Sequence, residues 1–170
     1  MNIPRNVKRT ALVLGLLTTA ACSTTGGGLF GNGANGAGGA GNGQIEETSL
    51  AYFQQTIGDT VLFAVNQTGL TPTAMAILDQ QAAWLVANPT VTILIEGHAD
   101  ERGTRDYNMA LGSRRASAVR DYLVAKGVAD SRISVISYGR ERPLAICSDE
   151  SCWSKNRRAV TIVTSGAPLG

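Results

Sequence analysis

Only one histidine, His98, occurs in the 170 residues, and it has no catalytic company. The sequence holds no Gly-x-Ser-x-Gly elbow and no Cys–His pairing, so nucleophilic hydrolysis has no carrier. Glu96, His98 and Asp100 alternate along the end of an apolar run, but one imidazole and two carboxylates are a thin set for zinc. His98 is therefore read as a turn-stabilising residue. No apolar run approaches the ~20 residues that a membrane-spanning helix needs. An excess of positive charge is missing as well. Of 15 basic residues, Arg5, Lys8 and Arg9 fall in a removable leader, which leaves 12 against 13 acidic ones and a net charge of −1. A non-specific nucleic-acid binder needs a basic face to displace counterions, so nucleic acid is excluded as a partner. The expectation is a binding protein, not an enzyme, with no metal and no cofactor.

What is present begins with that leader. Residues 1–21 carry three basic residues, the apolar run Ala11–Leu17 and small residues up to Cys22, the layout of a secretory signal. Thr19-Ala20-Ala21-Cys22 resembles a lipoprotein cleavage site in which Cys22 becomes the lipidated first residue, although Thr19 stands where Leu is usual. Ser23 after it resembles an outer-membrane address. More than one acyl chain suffices for stable anchoring at about 0.8 kcal/mol per buried methylene. Residues 22–45 then form a tether: ten glycines lie between Gly26 and Gly43, with Asn, Ala and one Leu-Phe pair. Such a segment cannot bury enough apolar surface to offset its chain entropy. Some twenty residues of it span about 25 Å on average and roughly 70 Å when straight.

The length leaves room for one folded head, residues 46–165, and a short tail, 166–170. Glu46–Ile57 reads as an opening helix and Thr60–Val65 as a strand. Thr71-Pro72 supplies an N-cap and a first-turn proline for a helix that Asn88-Pro89 ends. Val91–Glu96 is a second strand, broken at Gly97, and a long amphipathic helix follows, closed by Gly127. Ile133–Tyr138 and Ala159–Thr164 are the third and fourth strands, with a helical turn at Ser151–Asn156 between them. The expected fold is an α/β sandwich with helices packed on one mixed four-stranded sheet. Cys147 and Cys152, an even pair left in an exported protein once Cys22 is lipidated, read as a disulfide, with half a zinc site as the weaker alternative.

The long helix holds one anomaly. At 100° per residue, Met109, Gly112, Ala116, Val119 and Leu123 share a face, and Arg115 falls beside Val119 and Tyr122 within it. A guanidinium in a core stripe either snorkels to water or meets a carboxylate. The candidate acid is Asp100, in the turn before the helix. An acid and an arginine across a turn can hold a zwitterion, the acid taking an ammonium and the arginine gripping a carboxylate two-pronged. The two can equally pair with each other and do nothing else. Glu101 and Arg102 would be a solvated pair at the helix entrance, with Arg102 also in reach of a ligand on Asp100.

The stretches GHADERGTRDYNMALGSRRASAVRDYL (97–123), SYGRERP (137–143) and SKNRRAV (154–160), in that order, resemble the signature of the OmpA-like peptidoglycan-binding domain, over roughly Thr60 to Val163. The resemblance implies non-covalent binding of the diaminopimelate side chain of the peptidoglycan stem peptide. By motif, Asp100 would take its ammonium and Arg115 its carboxylate, Asn108 and Leu111 would line the pocket, and Arg102 would close the rim. The family's Phe-Asp pair after the first strand is Val65-Asn66 here, so Asn66 offers an acceptor without the charge. The resemblance further implies an outer-membrane lipoprotein with a periplasmic head that links membrane to cell wall. It would also meet the Tol system's soluble propeller protein, with roles in envelope integrity and cell division. Arg140, Arg142, Arg157 and Arg158 are candidates for that second surface. The rivals are a motor-stator wall anchor, which would need a transmembrane helix, and a wall hydrolase.

Overall fold

Two glycines set how closely the long helix lies on the sheet. A Cβ on Gly97 would stand 1.9 Å from the carbonyl oxygen of Gly112, and one on Gly112 would stand 2.8 Å from that of Gly97. Backbone therefore meets backbone where the second strand and the helix cross. The structure, a computed structural model, describes residues 45–166. The leader, Cys22, the tether and residues 167–170 lie outside the described residues.

The elements run α1 (Leu50–Tyr52), a π-helical turn (Phe53–Ile57), β1 (Thr60–Leu62), α2 (Pro72–Ala87), β2 (Thr92–His98), α3 (Arg105–Ala125), a 3-10 turn (Asp130–Arg132), β3 (Ile133–Gly139), α4 (Glu150–Asn156) and β4 (Arg158–Ser165). The sheet order is β1-β4-β2-β3. β2 pairs parallel with β3 across the α3 crossover and antiparallel with β4, and β1 pairs antiparallel with β4. This is the expected helix layer on a mixed four-stranded sheet.

Local chemistry fixes the boundaries. The Thr71 hydroxyl accepts from the Ala74 amide at 3.1 Å with Pro72 at the first helical position. The Thr104 hydroxyl does the same for Tyr107 at the start of α3, and Gly127, at φ +100°, leads the chain away from its end. Leu78, Ala82 and Leu85 from α2 and Ala116, Val119 and Leu123 from α3 bury themselves on Ile93, Ile95, Val61 and Ala159 of the sheet. Two arginines tie connections to this core through carbonyls. Arg132 donates to Val91, Leu85 and Asn88 at 2.7–2.9 Å and so pins the α2–β2 turn to the start of β3. Arg115 does the equivalent at the other end of the sheet.

Three expectations change. Glu46–Ile57 is not one helix: Ser49 caps a single α turn, and the Gly58 amide reaches back to Phe53 at 3.0 Å, closing a wider π turn that buries Phe53 and Ile57. β1 leaves the sheet after Leu62, well short of Val65. The Phe63 amide makes one more bond, to the Arg157 carbonyl at 2.8 Å, and then the carbonyls of Ala64 and Gln67 turn to Arg115. Gly97 does not break β2, which continues to His98; Gly97 lies opposite Ser137 and Ala159. Its missing side chain serves the contact with Gly112 rather than a turn.

This crossing predicts a contrast between two glycine substitutions. Gly97→Ala should lose at least about 3 kcal/mol of stability, since backbone on both sides cannot yield. Gly69→Ala, where nothing lies within 4 Å, should change it by less than about 1 kcal/mol. Urea denaturation of the two variants measures the difference.

Candidate ligand-binding site

Three chain segments converge at the end of the sheet where β2 stops. The loop after β1 brings Val65 and Asn66, the latter held at φ +56°. The turn after β2 brings Asp100, Arg102 and Gly103, and the first turn of α3 brings Tyr107. Together these residues line an open cleft of about 240 Å3. The Tyr107 hydroxyl donates to the Asn66 side-chain oxygen at 3.4 Å, so one residue from each side closes an edge of the cleft.

Arg115 reaches this place from within. It is fully buried at 0% exposure. Its Nε donates to the Gln67 carbonyl at 3.0 Å, Nη1 to His98 at 2.8 Å and Nη2 to Ala64 at 3.2 Å, while its guanidinium carbon lies 5.2 Å from the centre of the Phe63 ring. It neither snorkels nor pairs with an acid: among the described residues no carboxylate lies within 4.0 Å of it. Burial pushes its guanidinium down to about 10, against the pull of Asp100, so it keeps its charge at neutral pH. Three carbonyls take three of five guanidinium protons and leave two N–H groups without a described acceptor.

Asp100 is bonded elsewhere. Its Oδ1 accepts from the Arg102 amide at 3.2 Å and from Arg102 Nε at 3.3 Å. Its Oδ2 accepts from Arg102 Nη2 at 2.7 Å and from Arg157 Nη1 at 3.3 Å. Burial pushes this carboxyl up, but the hydrogen bonds from Arg102 and Arg157 together outweigh it and hold the group below the ordinary carboxylate range. Arg157 is itself buried, donating to the Phe63 carbonyl at 3.1 Å and pairing with Glu150. Its part in the site escaped the sequence reading, although the SKNRRAV stretch was a signal for it.

Asp100, Arg102 and Asn66 are thus together on the cleft, with Arg115 immediately behind its first loop. Asn108 and Leu111, expected as pocket lining, are buried in α3 and do not reach the cleft wall. The Asn108 amide nitrogen instead donates to the Arg102 carbonyl at 2.9 Å and fixes the turn that carries Asp100. His98 is no turn residue but the buried last residue of β2, with neither ring nitrogen hydrogen-bonded. Of the four arginines proposed for a partner surface, Arg157 and Arg158 are buried. Arg140 donates to the Glu101 and Gly103 carbonyls, and Arg142 lies 3.6 Å over the Tyr138 ring. Cys147 and Cys152 are joined, with Cα atoms 5.6 Å apart. A bonded pair leaves no thiolate for the metal that these cysteines and Asp149 could otherwise hold.

Solved structures share this architecture. The peptidoglycan-associated lipoprotein of Burkholderia pseudomallei superposes with a TM-score of 0.61 at 40% identity, covering 62% of this chain and 90% of that one. The C-terminal domain of Helicobacter pylori MotB superposes at 0.59 with 23% identity, covering 63% and 84%, a likeness of fold alone. The fold is thus that of the OmpA-like domains. The OmpA family model matches residues 62–157, and the chain belongs to that family. Its relatives there include the peptidoglycan-associated lipoproteins of Rhizobium meliloti, 53% identical over 125 residues (74% of this chain, 71% of that protein), and of Pseudomonas aeruginosa, 42% identical over 157 residues (89% and 93%).

Two outcomes follow from the geometry. Arg115→Ala strips the buried His98 carbonyl and the part-buried Ala64 and Gln67 carbonyls of their donor and leaves a void in the core. It should cost about 3 kcal/mol in urea denaturation, short of unfolding the domain. His98 is held at about 4, chiefly by burial and then by Arg158 and Arg142. Its folded value lies below its unfolded one near 6.5, so the stability it confers is complete above pH 6.5. That stability declines by up to about 3 kcal/mol as pH falls toward 4. The single imidazole should titrate with a midpoint near 4 by NMR; a midpoint near 6.5 would contradict its burial.

Proposed function

We propose that this chain is an outer-membrane lipoprotein whose periplasmic head binds peptidoglycan without chemistry, through the diaminopimelate of the stem peptide. The observation that carries this reading is Arg115. A cation buried at 0% exposure, met only by carbonyl dipoles and with two protons unassigned, lacks a carboxylate partner. Asp100 lies near enough to raise its affinity for the proton, and the cleft opens between the segments that carry both. A ligand presenting a carboxylate beside an ammonium completes this arrangement: the carboxylate neutralises Arg115 and the ammonium goes to Asp100. Asn66 and Arg102 flank it, and Asn108 and Leu111 support it from within α3.

The relatives named as peptidoglycan-associated lipoproteins support the cell wall as the source of that ligand. They also favour a binding role over the hydrolase alternative, since the family indicates no catalysis. Cys22 would carry the lipid, and residues 22–45 would give the head its reach. With Arg157 and Arg158 buried, a Tol propeller protein would meet the exposed Arg140 and Arg142 rim instead.

Asp100→Ala and Arg115→Lys should each weaken co-sedimentation with diaminopimelate-type peptidoglycan by roughly thirty-fold or more, as for truncating a partner of a hydrogen-bonded charge pair. Lysine keeps the charge of Arg115 but not its fork, and circular dichroism checks the fold. Wild-type retention by both variants would sink the proposal, and soluble wall fragments would restore the hydrolase. Labelled palmitate should enter the wild-type chain and not Cys22→Ser.

A further inference from the structure

The acid on the cleft is already saturated by the chain itself. A carboxylate offers about four acceptor positions, and all four on Asp100 are used: three by Arg102 and one by Arg157. The two arginines differ in kind. Arg157 is buried and held at three further points, by the Phe63 carbonyl and both oxygens of Glu150. The side chain of Arg102 is 42% exposed. Its guanidinium carbon lies 4.2 Å from the centre of the Trp153 ring, and the Trp153 indole nitrogen is fixed by Glu101 at 3.1 Å.

We infer that Arg102 is a resident competitor for the ligand's cationic group, released from Asp100 when ligand binds, and that Trp153 is the positioning residue that sets how firmly it is held. This rests on the zwitterion reading of the site. An incoming ammonium has no free lone pair on Asp100 unless a donor leaves, and only Arg102 can leave without unburying a charge. The indole face holds the planar guanidinium over Asp100 in the empty site. Trp153 lies in α4, whose start is joined to the preceding loop by the Cys147–Cys152 bond, so the platform is braced rather than mobile. The consequence is a filter on ligand class. A carboxylate alone can satisfy Arg115 but cannot dislodge Arg102, whereas a ligand bearing both charges gains at both ends. Selectivity for the zwitterion then comes partly from the cost of displacing a built-in rival.

The test is a binding series on the full-length protein by calorimetry, with the tripeptide L-Ala-D-Glu-meso-diaminopimelate as probe. Arg102→Gln should tighten binding about two- to five-fold, the range set by a half-exposed ion pair. Trp153→Leu should tighten it less, and the double variant should bind no better than Arg102→Gln alone. Arg102→Lys, which keeps the charge but loses the fork and most of the stacking, should fall between wild type and Arg102→Gln. In an Asp100→Asn background, Arg102→Gln should bring no gain. Weaker or unchanged binding in Arg102→Gln, with Asp100→Asn still impaired, overturns the competitor and leaves the binding site standing. Wild-type affinity in Asp100→Asn overturns both. Additive gains from Trp153→Leu and Arg102→Gln would show that the indole does not act through Arg102.

Discussion

A buried guanidinium with no carboxylate among the described residues against it organises this end of the molecule. Arg115 comes up through the core stripe of α3 and is solvated by the chain, one carbonyl from the end of β2 and two from the loop after β1. Burying a cation this way is costly unless its donors are answered, and the fold answers most of them with backbone that would otherwise have continued a strand. β1 stops at Leu62 for that reason, and Asn66 takes a left-handed conformation as the loop wraps the charge. Arg132 makes the same kind of three-carbonyl clasp at the far end of β2. Each clasp engages three of five guanidinium protons, and the two differ in burial: Arg115 is fully enclosed, whereas Arg132 is partly exposed.

The Gly97–Gly112 crossing makes the first clasp geometrically available. Because α3 touches β2 without intervening side chains, the residue one turn further along the helix can reach the His98 carbonyl at 2.8 Å. On the β3 side, the Ser137 hydroxyl donates to the Met109 carbonyl at 2.8 Å and holds the same helix from its other flank. Site geometry is thus inherited from helix–sheet spacing.

Much of this was legible in residue order. The helix faces, the caps at Thr71 and Gly127, the four strands and the misplaced Arg115 all follow from periodicity and short-range chemistry. What was not legible lies in contacts that periodicity cannot encode. Gly97 reads as a breaker because its partner, Gly112, is distant in sequence and only the crossing explains both. Asp100 and Arg115 read either as the two ends of a zwitterion clamp or as partners of each other. The direct pairing is not made, since Asp100 is bonded to Arg102, two residues away, and to Arg157, 57 residues away. His98 reads as a turn residue because strand extension past a glycine is unexpected. Arg157 and Arg158 read as surface by charge, yet the junction of α4 and β4 buries both.

Strand order has a consequence for the timing of synthesis. β4 lies between β1 and β2 in the sheet but comes last in the chain. Until it arrives, β1 has no ladder partner and β2 lacks one neighbour. Residue 157, immediately before it, carries the buried half of the Asp100 cradle. A chain emerging from its N-terminus can form the local β2–α3–β3 unit early, but closing the sheet waits for contacts about a hundred residues apart, the slow kind. A prematurely terminated copy therefore lacks both its central strand and its acid's fixed partner. The latest of the described strands is thus the one that completes both the sheet and the setting of Asp100.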